Sequence, residues 1–272
     1  AGVREGDTVA RLGGDEFALV LPRVADAAAA AAVAAELVRA VAEPVARAGG
    51  GIHTGASVGV TLSPDDGREP GQLLKNADIA LYRAKAEGRG AHCLFAPEMQ
   101  RQVERRRALE GELRLALARG ELEPFFQPKV RLADERVVGF EALVRWRHPS
   151  RGLVPPDEFL PVAEEAGLGA AVSDLVLRRA VAQARAWQEA GLELGCLAVN
   201  LAPAQFRGGG LARTVRSVLD EAGFAPGCLM VEVTEGVFLG HDAGRVAEEL
   251  EALHAMGVTV ALDDFGTGYS SL

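Results

Sequence analysis

The sequence predicts an α/β protein whose second half is built from parallel βα units. Apolar strand-like runs alternate there with helix-like segments, and each run leads to a side chain that carries oxygen. Alternation at this spacing is typical of parallel sheets, and a ring of such units forms a TIM-type barrel. Because the carboxyl ends of parallel strands open at one end of a barrel, we expect these side chains to converge there.

The first part of the chain begins with a predicted hairpin. Two β-like runs, residues 7–12 and 17–21, flank the turn Gly13-Gly14-Asp15-Glu16. Glycines would let a triphosphate approach the backbone, and an acid at the turn could hold its metal ion. On the local pattern alone, a plain hairpin with solvated acids is the better interpretation.

Two helices are predicted after the hairpin. The first follows Asp26 as its cap and should end before Pro44. The second covers residues 73–86 and should stop at Gly88. Lys85 and Arg89 stand four residues apart, so they could reach phosphates from one helical face. A solvated basic helix end is an equally good interpretation of these two residues.

A helix over residues 97–119, followed by Gly120, is predicted to join the two halves. We therefore divide the chain into residues 1–96, a connecting helix over 97–120, and a second domain over 121–272. The basic residues of the connecting helix are expected to face water rather than nucleic acid. Further helices are predicted at residues 159–166, 172–190, 211–222 and 243–256.

Four strand-like runs of the second half carry the candidate metal ligands. Residues 137–140 lead to Glu141, residues 197–199 to Asn200, residues 229–231 to Glu232, and residues 260–262 to Asp263 and Asp264. Oxygen ligands that are mostly anionic suit Mg²⁺ or Mn²⁺ better than zinc. Without a cation, this many buried carboxylates would repel one another. For the Asp-Asp pair alone, a simple turn at Asp264 is about as good an interpretation.

Composition and charge exclude several classes of protein. The 272 residues are 49% hydrophobic and 25% charged, an ordinary globular balance. A net charge of −9 disfavours a nonspecific DNA or RNA binder, so an anionic nucleotide would need local metal and arginine. The cysteines Cys93, Cys196 and Cys228 have no metal-ligand spacing and indicate reduced thiols. No apolar run approaches the length of a membrane span, and we expect cytoplasmic domains; membrane anchoring upstream in a parent protein stays open.

Four motifs of the second half resemble those of the EAL domain family. They are Glu141-Ala142-Leu143-Val144-Arg145-Trp146, Asn200-Leu201-Ala202-Pro203, Glu232-Val233-Thr234-Glu235 and Asp263-Asp264-Phe265-Gly266-Thr267-Gly268. The resemblance implies a TIM-type barrel that hydrolyses cyclic di-GMP to linear pGpG with two ions of Mg²⁺ or Mn²⁺. Those ions would polarise the phosphodiester and activate the attacking water.

The same resemblance implies roles for individual residues. One metal ion would be held by Glu141, Asn200, Glu232 and Asp263, and a second by Asp263 and Asp264. Gln127 and Arg145 match substrate-contacting positions, and a planar guanidinium suits a phosphate; a salt bridge at the rim is the alternative for Arg145. Glu235 matches the glutamate that braces the loop beginning at Asp264. That loop forms much of the family's dimer contact, so the resemblance implies a homodimer through the EAL domain.

The run Gly13-Gly14-Asp15-Glu16-Phe17 resembles the signature of the GGDEF domain family, which makes cyclic di-GMP from two GTP molecules. The resemblance implies that Gly13 and Gly14 approach GTP and that Asp15 binds its metal ion. Lys85 and Arg89 fall in a later motif of the family. Arg4 and Asp7 match a product-binding inhibitory site. The first half of the family pattern does not precede these residues, so this part alone should not make cyclic di-GMP.

The resemblance also implies that the chain is a fragment, with a partial GGDEF domain and a truncated EAL barrel. The sequence stops before the lysine, glutamate and glutamine that complete the EAL pattern. The strand at residues 258–263 should then present an unpaired edge. We expect the fragment alone to be inactive and prone to aggregate.

Three functions stay open at this point. The first is a cyclic di-GMP phosphodiesterase in the intact parent protein. The second is a receptor module that binds cyclic di-GMP without turnover, and the third is a diguanylate cyclase with a silent EAL domain. The metal-site acids are all present as far as the chain runs, which favours the phosphodiesterase.

Overall fold

The computed structural model describes residues 4–47, 50–239 and 243–263, except for the side chains of residues 46, 47, 50–52, 235 and 239. Its architecture is mixed α/β, which confirms the predicted class. The chain divides into two compact units, Ala1–Arg106 and Arg107–Leu272. Within the described ranges, no helix is long and apolar enough to cross a membrane.

The first unit opens with the predicted hairpin. Strands β1 (Thr8–Gly13) and β2 (Glu16–Val20) pair antiparallel. Gly14 has a φ of +53°, a left-handed conformation that glycine adopts without a steric penalty. The guanidinium of Arg11 donates to the carbonyl of Gly14 at 2.7 and 3.0 Å and so stabilises the turn.

Short strands and two helices make up the rest of the first unit. Their bounds are α1 (Ala27–Ala42), β3 (Val45–Arg47), β4 (Gly50–Ile52), β5 (Val58–Val60), α2 (Pro70–Ala86) and β6 (His92–Leu94). Asp26 caps α1 as predicted, because its carboxylate accepts a hydrogen bond from the amide of Ala29 at 2.8 Å. Helix α2 lies so close to β5 that a Cβ on Gly59 would sit 2.0 Å from the carbonyl oxygen of Ala77. Glycine at this position therefore permits the packing of α2 on the sheet.

The predicted shared face of Lys85 and Arg89 is wrong. Helix α2 ends at Ala86, and Arg89 lies beyond it with a φ of +59°. Gly88 and Gly90, which flank Arg89, also have positive φ, so the chain leaves the helix before it can present both cations on one side. A separation of four residues therefore does not place Lys85 and Arg89 on the same face of a helix.

Helix α3 (Pro97–Arg119) has the bounds that the sequence predicted. The division between the two units falls within it, between Arg106 and Arg107. Leu109, Leu113 and Ala116 lie in the core of the second unit. Where α3 ends, the guanidinium of Arg179 donates to the carbonyls of Gly120 at 3.0 Å and Leu122 at 2.7 Å. These bonds join two carbonyl groups to one guanidinium where the chain passes from α3 into β7.

One mixed sheet forms the centre of the second unit. Its strands are β7 (Leu122–Arg131), β8 (Arg136–His148), β9 (Gly152–Val154), β10 (Cys196–Asn200), β11 (Leu229–Thr234) and β12 (Thr259–Asp263). The order across the sheet is β12-β11-β10-β8-β7, with β9 beside β8. Strands β8, β10, β11 and β12 are parallel neighbours, which confirms the predicted βα units.

Strand β7 differs from this pattern because it pairs antiparallel with β8. Only residues 132–135 connect the two strands. A parallel pair needs a long crossover, whereas a turn of this length joins antiparallel strands. The apolar runs of the second half predicted only parallel βα units, so the antiparallel hairpin of β7 and β8 was not predicted.

Helices pack against the outer face of this sheet. They are α4 (Pro156–Glu165), α5 (Gly169–Glu189), α6 (Leu211–Ala222) and α7 (Ala243–Ala255). Helix α6 has its predicted bounds, while α4 and α5 each begin three residues earlier than predicted. Fully buried Trp146 and Phe159 meet edge to face in the core between sheet and helices, with ring centres 5.7 Å apart.

Strand β12 is the outermost described strand on its side of the sheet. In the ranges that the structure describes, it pairs only with β11. The side chain of Leu262 is 53% exposed there, although leucine is normally buried in a parallel strand. Residues 264–272, which follow, lie outside the described residues.

Candidate active site

The strand register places the four candidate metal ligands on one face of the sheet. Glu141 lies opposite Ala198, Asn200 opposite Glu232, and Glu232 opposite Ala261. Side chains two residues apart on a strand share a face, so Asn200 lies on the face of Ala198, and Asp263 on that of Ala261. Each ligand thus shares its face with the next, across four parallel strands. Their grouping around a metal ion stays a prediction.

The prediction that the strand leading to Glu141 ends there is wrong. Strand β8 continues for seven residues to His148 because that segment pairs with β7 on one side and with β9 on the other. The parallel pairing of β8 with β10 covers only Gly139–Ala142. Glu141 is therefore near the carboxyl end of the parallel part of β8, and in the register it lies opposite Ala198, two residues before Asn200 at the end of β10.

Asn200 is held on both its side chain and its backbone. Its Nδ2 donates to Oε1 of Glu141 at 3.0 Å. Its carbonyl oxygen lies 3.2 Å from the hydroxyl of Ser173, a buried residue of α5. Ser173 Oγ also lies 2.6 Å from Oε1 of Gln205, and that oxygen accepts from the amide of Ala202 at 3.0 Å. These contacts fix the chain where β10 ends.

Sequence reasoning missed Ser173 and Gln205 as parts of this site. Ser173 lies 27 positions before Asn200, near the start of α5, and in the sequence it is an ordinary residue of an amphipathic helix. Gln205 stands three residues after Ala202 and accepts from its amide, but alanine has no side-chain acceptor, so the sequence shows no capping-box pattern that would have marked Gln205.

Glu232 is 8% exposed, and its carboxylate is paired with a lysine. Oε1 lies 2.6 Å from Nζ of Lys129 on β7, and the same ammonium is 4.0 Å from Sδ of Met230. Lys129 was also missed. The signal for it was present, because Lys129 is two residues from Gln127 and so shares the face of a predicted site residue.

Lys129 also acts on the thiol of Cys196. Burial raises the pKa of Cys196 above its ordinary value, and the positive charge of Lys129 partly opposes that rise. Cys196 is two residues before Ala198 on β10, so it lies on the same face as Asn200. The thiol therefore stays protonated at neutral pH.

The chemistry of the donor set fits a hard divalent cation. The side chains are three carboxylates and one amide, and all offer oxygen. In the described ranges, however, no three His, Cys, Asp or Glu side chains are close enough to form a metal site. Asp264 lies outside the described residues, and so does the side chain of Glu235. The described contacts instead pair Glu141 with Asn200 and Glu232 with Lys129.

Gln127 and Arg145 lie beside the acidic residues. Gln127 is directly opposite Glu141 in the antiparallel pairing of β7 with β8, and it is exposed. Arg145 is four residues after Glu141 on the same face, and its guanidinium donates to the carbonyl of Val144 at 2.8 Å. Both side chains could therefore contact a ligand that lies over Glu141. Their roles stay predictions.

The candidate residues of the first unit are exposed, apart from half-buried Asp7, and their described contacts are local. Gly13, Gly14 and Asp15 form the exposed hairpin turn, and the space around both glycines is open. Arg4 and Asp7 close a small turn of their own, because the amide of Arg4 donates to Oδ2 of Asp7 at 2.8 Å. Lys85 and Arg89 are exposed as well.

Comparison with known protein families agrees with both sets of motifs. The family model described as "EAL domain" matches residues 110–272. The model described as "Diguanylate cyclase, GGDEF domain" matches residues 1–91. The two matches lie on either side of the middle of helix α3.

Individual proteins are similar over almost the whole chain. An "Uncharacterized signaling protein" of Caulobacter vibrioides is 47% identical over 97% of this chain and 32% of its own length. The "Bifunctional diguanylate cyclase/cyclic di-GMP phosphodiesterase MucR" of Pseudomonas aeruginosa is 42% identical over 100% of this chain and 39% of its own length. This chain thus spans about a third of the length of these relatives.

A solved structure described as "PaMucR Phosphodiesterase, c-di-GMP complex" is 42% identical and aligns with a TM-score of 0.56. The alignment covers 60% of this chain and 66% of that one. More than half of the chain matches the family model, and the solved structure shares its fold. The chain therefore belongs to the EAL domain family, and its EAL sequence follows GGDEF domain sequence.

Proposed function

We propose that the second unit supplies residues of an active site that hydrolyses cyclic di-GMP to linear pGpG with the help of divalent metal ions. One observation supports this most: oxygen ligands from four consecutive parallel strands share one face of the sheet. The relative MucR is described as a cyclic di-GMP phosphodiesterase, and its solved structure as a complex with cyclic di-GMP. Turnover belongs to the intact protein, in which residues 1–96 are part of the GGDEF domain, residues 97–120 form the connecting helix, and residues 121–272 are part of the EAL domain.

The residues have distinct tasks in this proposal. Glu141, Asn200, Glu232 and Asp263 hold one ion of Mg²⁺ or Mn²⁺, and Asp263 and Asp264 hold a second. When bound, such ions polarise a phosphodiester and lower the pKa of the attacking water. The amide of Asn200 orients the carboxylate of Glu141 through their 3.0 Å hydrogen bond. Arg145 places a permanent positive charge on the same face for a phosphate of the substrate.

For the first unit we propose nucleotide contacts at the hairpin turn. Gly13 and Gly14 leave open space for a triphosphate, and exposed Asp15 can reach its metal ion. Lys85 and Arg89 then act as separate phosphate contacts rather than as one helical face. Arg4 and Asp7 form the product-binding inhibitory site. A homodimer through the EAL domain, with Glu235 bracing the loop that begins at Asp264, completes the proposal.

The test is binding and turnover of cyclic di-GMP in the presence of Mn²⁺. Calorimetry should show Mn²⁺ binding to the chain that Glu141→Gln weakens at least tenfold, because a carboxylate ligand becomes a neutral amide. In the intact protein, chromatography should show pGpG, and Glu141→Gln should abolish it.

The outcomes separate the competing functions. Metal-dependent nucleotide binding without any pGpG from the intact protein would favour a receptor module instead. Mn²⁺ affinity that is unchanged in both Glu141→Gln and Glu232→Gln would contradict the metal site itself. Arg145→Lys offers a milder variant, which should weaken nucleotide binding while leaving Mn²⁺ affinity near that of the wild type.

A further inference from the structure

The side chain of Lys129 spans the inner face of the sheet. It starts on β7, and its ammonium reaches Glu232 on β11, although β8 and β10 lie between these strands in the sheet order. Directly opposite Lys129 on β8 stands Gly139, where a Cβ would lie only 2.2 Å from the carbonyl oxygen of Cys196, so glycine lets β10 approach β8 closely at this point. The contact between Lys129 and Glu232 thus depends on the curvature of the assembled sheet.

When the carboxylate of Glu232 is ionised, a nearby positive charge stabilises it. Its side chain is 11% exposed, and a carboxylate with so little water is costly unless a positive charge or several donors compensate it. Lys129 supplies that charge at 2.6 Å, while its own side chain stays 36% exposed. The lysine can therefore leave Glu232 and reach water at low cost, whereas Glu232 cannot leave the interior.

We propose that Lys129 is a built-in counter-ion that competes with the divalent cation for Glu232 and so sets the metal affinity of the site. This inference rests on the proposed function, since it requires that Glu232 be a metal ligand. An ammonium and a metal ion that bind the same carboxylate repel each other strongly in a partly buried site. Metal binding then requires Lys129 to release Oε1, and the cost of that release lowers the affinity.

A purely structural ion pair would behave differently. Such a pair would stabilise the fold with no effect on metal binding. A competing counter-ion must instead link the two properties: its removal destabilises the metal-free protein and strengthens metal binding. Only the competing role predicts opposite signs for these two changes.

The experiment measures Mn²⁺ affinity by calorimetry and Tm with and without Mn²⁺, both on the full chain. Lys129→Met keeps the length of the side chain and removes its charge. It should raise the Mn²⁺ affinity roughly tenfold, because one close positive charge no longer opposes the ion. Its Tm without metal should fall, and saturating Mn²⁺ should raise its Tm by more than it raises that of the wild type.

Two further variants keep the test decisive if Lys129→Met alone folds poorly. Lys129→Arg retains the positive charge and should keep the Mn²⁺ affinity within about twofold of the wild type. The double variant Lys129→Met with Glu232→Gln has no buried charge to compensate, so its Tm without metal should recover. If the double variant is as unstable as Lys129→Met alone, Lys129 does not act through Glu232 and the inference is overturned.

Arg131→Met is the matched control. Arg131 lies on the same strand, and its 60% exposed side chain pairs with Asp134 rather than with a candidate ligand. Its removal changes the net charge as Lys129→Met does, but should leave the Mn²⁺ affinity unchanged. An equal gain in both variants would mean that net charge alone governs metal binding, against the inference.

Failure of this inference can be told apart from failure of the proposed function. If Glu141→Gln and Glu232→Gln weaken Mn²⁺ binding but Lys129→Met does not change it, the metal site stands and the competition is wrong. If neither acid affects Mn²⁺ binding, the metal site is wrong, and the role of Lys129 is overturned with it.

Discussion

The two units hold their candidate residues in opposite ways. In the second unit, Lys129 and Glu232 are 103 positions apart in the sequence, and Glu141 and Asn200 are 59 apart. Those contacts exist only when the whole sheet is assembled. A change in the core of the second unit should therefore disturb its site even at a distance.

In the first unit the corresponding contacts are local. Arg4 and Asp7 are three positions apart, as are Arg11 and Gly14. Contacts of this kind form whenever the turn forms and need little tertiary structure. The hairpin also exposes a large aromatic side chain, Phe17 at 65%, whereas Trp146 and Phe159 of the second unit are fully buried. In the first unit, residues close together in the sequence position the candidate site. In the second unit, the assembled sheet positions it.

Replacing Trp146 with alanine should have the largest effect. Its ring is fully buried against Phe159, and its Nε1 donates to Oε2 of Glu121 at 3.1 Å. The free energy of unfolding should fall by about 3–5 kcal/mol in urea titrations, from lost apolar contact and the cavity left behind. Phe17→Ala is the control in the first unit and should cost less than about 0.5 kcal/mol. Equal losses in the two variants would break the comparison.

Ser173→Ala sharpens the comparison within the second unit. The substitution removes the hydroxyl that lies 2.6 Å from Gln205 and 3.2 Å from the carbonyl of Asn200. Because those half-buried groups lose a partner, we expect a loss of about 1–3 kcal/mol in stability. Mn²⁺ affinity should fall as well, since the position of Asn200 is less well fixed.

Ser217→Ala is the matched control for Ser173→Ala. Ser217 is exposed and bonds Glu221 four residues away on the same helix, at 2.6 Å. Its loss should cost at most about 0.5 kcal/mol and leave metal binding unchanged. Similar effects of the two serine variants on Mn²⁺ affinity would show that the buried network does not support the site.

Arg11→Ala tests the local character of the first unit. The guanidinium bonds the carbonyl of Gly14 and lies 6.0 Å from the centre of the Phe17 ring. All of these groups are exposed, so the loss in stability should stay below about 1 kcal/mol. Amide chemical shifts should change around Gly14 and nowhere in the second unit. Widespread changes would contradict a locally held turn.

Cys196 gives the smallest effect, a change in reactivity. Because burial raises the pKa of its thiol, the folded protein holds that proton to higher pH than the unfolded chain does. Alkylation by iodoacetamide at pH 8 should be slower than for a free thiol and should accelerate only as the pH rises further. Lys129→Met should slow it again, since the opposing positive charge is gone. Faster alkylation in that variant would contradict the placement of Lys129 near the thiol.

Periodicity predicted most of the elements. Helices α3 and α6 have their predicted bounds, because apolar spacing and a following glycine marked both ends. The parallel strands were found because short apolar runs with polar ends recur between helices. What periodicity could not supply was pairing: the antiparallel β7–β8 hairpin depends on the length of a turn rather than on the pattern within either strand.

The sequence predicted which residues are candidates for the site, but it did not predict which side chains contact one another there. Glu141, Asn200, Glu232 and Asp263 stood out because acids and amides at strand ends are unusual in a buried sheet. Lys129 did not stand out, since a single lysine in a strand at the edge of a sheet is common and its partner lies 103 positions away. Only the curvature of the assembled sheet brings the two together.

The bonds from Arg179 to the carbonyls of Gly120 and Leu122 have a practical consequence for protein engineering. A sensor domain inserted between α3 and β7 would separate two carbonyls that share one guanidinium, and it would leave Arg179 without both partners. The turn over residues 132–135 offers a better insertion point, because Leu132 is 95% exposed and the ion pairs of Asp134 there are local. A fused domain should therefore be tolerated between β7 and β8 and rejected between α3 and β7.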